Sequence, residues 1–450
     1  MLSRVSLLRW ARPLLAFVAV AAAAWLFWPN ATKPPGAGID PTAFAAALDS
    51  DADGFADTDG DWEFNFPRDL GPHPDHRGEV WDLSGQLVDD GGRRYGLRLT
   101  FVRIGLAPPA QQRASALAAN AVMLARLVLL PEAGEGGATA QRLSRAAGGL
   151  AGTEAAPFRV WLEDWSLAQG EGDVLVLNAN LDGVGLQLRL TPSKPVVTET
   201  QAGLFAAAGT GAGSGAGGAQ GPGFHFYLQP RLMVEGRLTL GDGARPDASV
   251  GLGPDQRSYP DQPTALPAAS GRASESIASG ESVQIPVRVS GTAWLEHAWG
   301  SVSGGLAGQR GQLSLNRFSL QLDDSTELMC LQLRRRGGRG TPIPTCLAIA
   351  RDGETRLFQR RDLTLEPSSA TWPSPQDGAR YPLWWRLTLP ALGLDVALEP
   401  LLPEQELVPG MASAGRIWSG LVTLSGSRDG EPVTGSGRMD LSGYTTDSGT

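Results

Sequence analysis

Two residues apart on one short segment, Glu296-His297-Ala298-Trp299-Gly300, stand an imidazole and an indole. If that segment is a strand, both side chains point to the same side. The imidazole can then give or take a proton, and the indole face can stabilise positive charge developing beside it. The same pair also arises where a Trp packs across a barrel floor and the His is held by a carboxylate such as Glu296 or Asp324. A packing or ligand-lining role therefore stands beside a catalytic one.

The rest of the reactive inventory is small. Four His and two Cys leave little for a multi-ligand transition-metal centre, and no metal or cofactor is expected. His73 and His76 fall in the turn Pro72-His73-Pro74-Asp75-His76, where ordering the loop is the expected task. Asp49 to Gly54 opens like a calcium-binding loop, but Gly60 stands where that loop needs an acid. Asp57, Asp59 and Asp61 are read instead as part of a solvated acidic tether. Cys330 and Cys346 are equidistant from Gly338. A hairpin turning at Gly337-Gly338 sets their sulfurs opposite each other, and outside the cytoplasm such a pair is expected to form a disulfide.

The elements that must position these residues are strands. With 58 Gly and 33 Pro the composition favours short strands and turns over long helices. Val80–Leu87 and Tyr95–Ile104 alternate with period two about Asp89-Asp90-Gly91-Gly92, a hairpin signal. The stretch 110–130, rich in Ala and Leu and ended by Pro131, is the one candidate helix of the body; in a barrel it would insert over one mouth, or its last part would be a strand. Strands resume over Phe158–Leu167, Val174–Leu190 and Phe224–Leu240. A further series begins at Val283 and ends near Ser425. The net charge of -9 leaves nothing basic to neutralise phosphate, which excludes a nucleic-acid partner.

The first residues point to export. Arg4, Arg9 and Arg12 precede an uncharged run from Leu14 to Trp28, which rises about 22 Å as a helix. Starting at Trp10, with Arg12 snorkelling, it reaches roughly 28 Å, enough to span a bilayer. The expectation is a single-pass anchor in a bacterial inner membrane with the body in the periplasm. Cleavage after Ala21–Ala24, which would release the body, is the alternative. The expected organisation is therefore an anchor over 1–29, a flexible tether over 30–61, a β unit over 62–240 with a Gly/Ala-rich insertion at 202–223, a linker over 241–282, and a second β unit over 283–446.

The two β units echo each other. Leu181–Pro195 aligns without gaps on Leu389–Pro403, with Gly185/Gly393, Leu186/Leu394, Leu190/Leu398 and Pro192/Pro400 coinciding. Val88-Asp89-Asp90 likewise matches Leu322-Asp323-Asp324. Repeated units of this kind suggest two related barrels.

Several segments in order resemble a known family. They are Phe64-Asn65-Phe66-Pro67-Arg68-Asp69-Leu70-Gly71-Pro72-His73-Pro74-Asp75, Glu79-Val80-Trp81, Leu97–Arg103, Tyr227–Leu232, Gly291–Gly300, Leu322–Met329 and Leu441-Ser442-Gly443-Tyr444. Together they look like the AttH-type lipocalin-like domain shared with carotenoid 1,2-hydratases (hydroxyneurosporene synthases). The resemblance covers roughly residues 54–446. It implies an all-β fold of two tandem calycin-like barrels with apolar pockets, for which Trp81, Trp294 and Trp299 are the candidate lining residues. It implies either binding of a lipid or other hydrophobic molecule, often beside an ABC-type exporter and its permease, or addition of water to a terminal isoprenoid double bond. For that reaction the resemblance assigns the site to His297 and Trp299, with Asp324 as the completing acid and Asp323 as its neighbour. The chain departs from the family pattern at Leu70, where His is frequent, at Asp82, where a second aromatic follows Trp81, at Leu322, where hydratases carry Tyr, and at Arg438-Met439-Asp440 in the closing motif.

Overall fold

A computed structural model describes residues 54–58, 62–112, 115, 118–132, 137–181, 184–198, 224–240, 285–300, 313–335, 342–376, 378–407 and 417–444. The expected anchor, most of the tether, the Gly/Ala-rich insertion and the linker lie outside the described residues. No helix among the described residues is long and apolar enough to cross a membrane.

The fold is all-β and consists of two barrel-like sheets. The first contains β1 (Gly78–Asp89), β2 (Arg94–Gly105), β3 (Ala121–Pro131), β4 (Ala138–Arg145), β5 (Ala151–Ala155), β6 (Phe158–Leu162), β7 (Trp165–Gln169), β8 (Leu175–Leu181), β9 (Val184–Pro192), β10 (Val197–Thr198), β11 (Phe224–Leu240) and β12 (Ile285–Gly300). Its order is β4-β3-β2-β1-β12-β11-β9-β8-β7-β6-β5, with β10 on β11. Because β6 packs beside β3 and β4, the sheet curls almost back on itself. The second sheet is built from β13 (Leu313–Leu322), β14 (Glu327–Arg335), β15 (Ile343–Ile349), β16 (Thr355–Gln359) and β17 (Thr364–Pro367). After a small separate ribbon of β18 (Trp372–Pro373) and β19 (Arg380–Tyr381), it is completed by β20 (Trp385–Leu389), β21 (Leu394–Pro400), β22 (Glu406–Leu407), β23 (Ile417–Arg428) and β24 (Glu431–Ser442). Its order is β16-β15-β14-β13-β24-β23-β21-β20-β17, with β22 on β23.

The two orders follow one plan. In each, a four-strand meander pairs its first strand with the unit's last. The repeated segments fall on equivalent places: Leu181–Pro195 and Leu389–Pro403 run through β9 and β21, and the two Val/Leu-Asp-Asp turns join β1 to β2 and β13 to β14.

Two sequence expectations need correction. The strand starting near Val283 does not open the second unit; β12 sits between β1 and β11 in the first sheet. Sequence order misled because β12 arrives after a long insertion, whereas pairing places it beside the first strand. Over 110–130 no long helix forms among the described residues, and the strand alternative holds for the last part of that stretch. Ala121–Pro131 is a strand, preceded only by a short turn of helix at Pro109–Gln111. Its run AVMLARLVLLP is buried on both faces, so no alternation marks it, and a doubly buried strand cannot be told from a helix by periodicity.

Elsewhere alternation is clear. In β8 and β9 Leu175, Leu177, Leu186, Leu188 and Leu190 point into the first barrel while Gln187 and Arg189 face out. Close approach of β1 and β12 requires glycine: a Cβ on Gly291 would lie 1.9 Å from the Gln86 carbonyl, and one on Gly85 2.5 Å from that of Thr292. The barrels meet through the outer faces of β1, β2, β3, β11 and β12 against β13–β15, β23 and β24. Trp294, Phe226 and Leu228 pack there on Met329, Leu331 and Ile349.

Inside the second barrel Cys330 and Cys346 are cross-strand partners and are joined by a disulfide across a separation of 16 residues. A loop of about that length constrains the unfolded chain by roughly 3 kcal/mol. The Cys330→Ala/Cys346→Ala variant is expected to lose about 2–3 kcal/mol in urea unfolding, and the unmodified chain to show a linked peptide pair that separates on reduction.

Candidate functional site

Antiparallel register assembles the site from two neighbouring rows of side chains at one end of the first barrel. One row reads Arg103, Glu79, Trp299, His225 across β2, β1, β12 and β11; the next reads Phe101, Trp81, His297, Tyr227. With a period of two, both rows face the barrel interior. The loop that carries His73 and His76 covers them.

Glu79 is the centre. Its Oε1 accepts from the His73 backbone N–H at 2.8 Å, approaches His73 Nδ1 at 3.0 Å and His297 Nε2 at 2.9 Å, while Oε2 accepts from Arg103 Nε at 2.8 Å. Arg103 also donates to the His73 and His76 carbonyls at 2.8 Å each, which ties the loop to β2. His73 Nε2 lies 3.3 Å from Asp69 Oδ1. Aromatic rings enclose the set. Trp299 stacks on His73 with centroids 3.6 Å apart, Trp81 stacks on His297 at 4.7 Å, and Tyr227 meets His297 edge-on at 5.3 Å. Trp62 packs against His73, His76, His225 and Trp299. All four histidines of the chain therefore converge here.

The electrostatics follow from burial and pairing. Burial would raise the Glu79 carboxyl, but Arg103 and the two imidazoles override it and hold the group well below the usual carboxylate range. Burial pushes His297 down to about 4, against the pull of Glu79. At neutral pH the site thus holds an ionised Glu79 and a neutral His297. His73, Glu79 and His297 offer three atoms close enough to hold a metal ion. However, Arg103 already places a positive charge on that carboxylate, and the backbone N–H of His73 occupies one of its lone pairs, so hydrogen bonding accounts for the group.

A pH effect follows. Below the ordinary value of 6.5 the unfolded chain binds a proton at His297 that the folded chain refuses until about 4. Stability present above 6.5 is therefore lost as pH falls through that window, by about 3 kcal/mol for a shift of this size. His297→Gln, which can still donate to Glu79, is expected to flatten the urea-measured slope between those two pH values.

The sequence-predicted residues separate. His297, Trp299 and Trp81 come together. Trp294 faces the opposite way, into the contact between barrels, because it lies an odd number of residues from His297 on the same strand. Asp324 is not in the cluster: it sits in the β13–β14 turn, accepts the Thr326 N–H at 2.9 Å and pairs with Arg428. Asp323 accepts from Thr434. Glu296 also points away, toward Arg317, Ser319 and Arg438. The carboxylate that serves His297 is Glu79. Its sequence signals were its place two residues before Trp81 on an alternating strand and its presence in the Glu79-Val80-Trp81 segment that resembles the family.

Beside the cluster lies a cavity of about 560 Å³ whose wall includes Phe64, Phe66, Leu175, Tyr227, Leu232 and Leu295. Tyr227 connects the two, since it both lines the cavity and packs on His297. A second space, between the barrels at Ser84, Gln86, Ser319 and Gln321, measures only about 20 Å³, which is room for a single water.

Two like barrels with an aromatic cluster and a cavity in the first define a lipocalin-like protein. The chain belongs to the AttH-like family, whose profile matches residues 57–248 and 276–444. It is similar to an AttH protein of Nitrosomonas europaea, with 24% identity and a TM-score of 0.62 over 87% of this chain and 100% of that one. It is also similar to kievitone hydratase of Nectria haematococca, with 14% identity and a TM-score of 0.53 over 87% of this chain and 96% of that one. These two likenesses concern the fold. No curated protein matches the chain.

Proposed function

We propose that the protein binds a lipid or other hydrophobic molecule inside its first barrel. The observation that carries this reading is the cavity of about 560 Å³ with its wall of Phe and Leu side chains, a volume within the ligand-pocket range. In the same proposal residues 1–29 hold the body at the periplasmic face of the cytoplasmic membrane, where it hands its ligand to an ABC-type permease. Arg4, Arg9 and Arg12 ahead of an apolar run support that placement.

The test is extraction of the purified full chain followed by mass spectrometry. A retained hydrophobic molecule is expected. Leu232→Trp, which fills the cavity from a buried wall position, is expected to lose it while still folding. Equal retention by both proteins, or none by either, contradicts the proposal.

A second reading, hydration of an isoprenoid double bond, is favoured by the contact of Tyr227 with both the cavity and His297. Against it, protonating an isolated alkene needs a strong acid, and the cluster holds a neutral imidazole and an ionised carboxylate. Incorporation of heavy oxygen from labelled water into an isoprenoid alkene, lost in His297→Ala, decides for this reading.

A further inference from the structure

The charges around the cavity narrow the kind of molecule it takes. Lys194 is the one cation in the wall among the described residues. Its ammonium is already committed to Glu327 and to the Ser325 and Ala350 carbonyls. An ammonium has three donors, so none remains for a ligand. Asp173, the other charged wall residue, is exposed and makes no ion pair among the described residues, so the exposed part of the wall carries negative charge.

Tyr227 also lines the cavity, lies near the charges of both Glu79 and Asp69, and makes no side-chain hydrogen bond among the described residues. Burial raises this phenol, so it stays protonated and can donate. A carboxylate or phosphate entering the cavity would meet Asp173 in the wall and, among the described residues that line it, find no cation free to pair with it. Burying an unpaired charge is costly, whereas a neutral oxygen at Tyr227 gains a hydrogen bond that the protein itself leaves unmade.

We propose that the cavity takes a neutral amphiphile of about 20 non-hydrogen atoms, whose one polar end is an alcohol, ketone or quinone oxygen accepting from the Tyr227 hydroxyl, and that it rejects anionic lipids. This rests on the reading of the cavity as a lipophile site, and it adds the charge class and the anchoring residue.

The experiment is a competition on the full chain. Phytanol, phytanic acid and phytane, the alcohol, acid and hydrocarbon of one branched skeleton, are presented together on cyclodextrin at neutral pH. The protein is then separated and extracted, and the three are quantified by mass spectrometry. The expected result is about tenfold enrichment of alcohol over acid and about fivefold over hydrocarbon. In Tyr227→Phe the preference for alcohol over hydrocarbon should vanish while hydrocarbon is retained as before. Acid bound as well as alcohol, or an undiminished alcohol preference in Tyr227→Phe, overturns this inference and leaves the lipophile site standing. Retention of none of the three by the unmodified protein overturns the site itself.

Discussion

Replacing Glu79 by glutamine is expected to lower the unfolding free energy by about 3–5 kcal/mol. The change keeps the volume and removes only the charge, so the guanidinium of Arg103, with 6% of its side chain exposed, is left without a counter-ion. Glu79 itself is fully buried, so solvent does not screen the loss. The neutral amide also presents a donor where an acceptor is needed: turned one way it costs Arg103 its acceptor at Oε2, turned the other it costs both His73 and His297 theirs at Oε1. The double variant Glu79→Gln/Arg103→Met should recover part of the stability, because removing both charges avoids the unpaired one. Recovery stays partial, since Arg103 also fastens the His73–His76 loop through two carbonyls. Urea unfolding of the four proteins of this cycle checks the prediction. Additive losses would mean that the pair does not act as a unit.

The second large effect lies between the barrels. Arg438, with 1% of its side chain exposed, pairs with Asp82 at 2.5 Å, Glu296 at 3.0 Å and Asp440 at 3.1 Å. Arg98 and Arg317 complete the cluster. Burial would raise Asp82 and Asp440, but Arg438 and Arg98 hold both below the usual carboxylate range. Arg438→Met leaves three carboxylates with two guanidinium groups, at an expected cost of about 3–5 kcal/mol. Because the cluster joins the two sheets, the loss should also uncouple them, so that one cooperative unfolding transition becomes two. Asp82→Leu combined with Arg438→Met should cost less than the sum of the single changes.

This cluster also accounts for two departures of the sequence from the AttH pattern. Asp82 replaces the second aromatic after Trp81, and Arg438-Met439-Asp440 breaks the closing motif. Far apart in sequence, they are one ion pair in space. A single sequence shows each as an oddity and gives no sign of the pairing, because contact across a separation of 356 residues leaves no local pattern.

Where local pattern does exist, the sequence was readable. Period-two alternation located most strands, and the repeat over Leu181–Pro195 and Leu389–Pro403 marked equivalent positions in two sheets of one plan. Equal spacing about Gly338 set Cys330 opposite Cys346. Reading failed where pattern is silent. A strand buried on both faces, Ala121–Pro131, looks like a helix, and β12 pairs with strands that precede it by long insertions. The site was half legible for the same reason. His297 and Trp299 share a face by spacing alone. Glu79 reaches them only through the β1–β12 register, so the nearer Glu296 and the turn residue Asp324 competed for its place.

The central claim is that a hydrophobic molecule sits inside the first barrel. Photolabelling tests it most directly, with a diazirine-bearing fatty alcohol, followed by peptide mapping of the full chain. Labels are expected on the cavity wall, at Phe64–Leu70, Pro192–Thr198 and Tyr227–Leu232, suppressed by an excess of unlabelled alcohol and absent in Leu232→Trp. Labels confined to the second barrel, or spread over the outer faces and insensitive to competition, would contradict it.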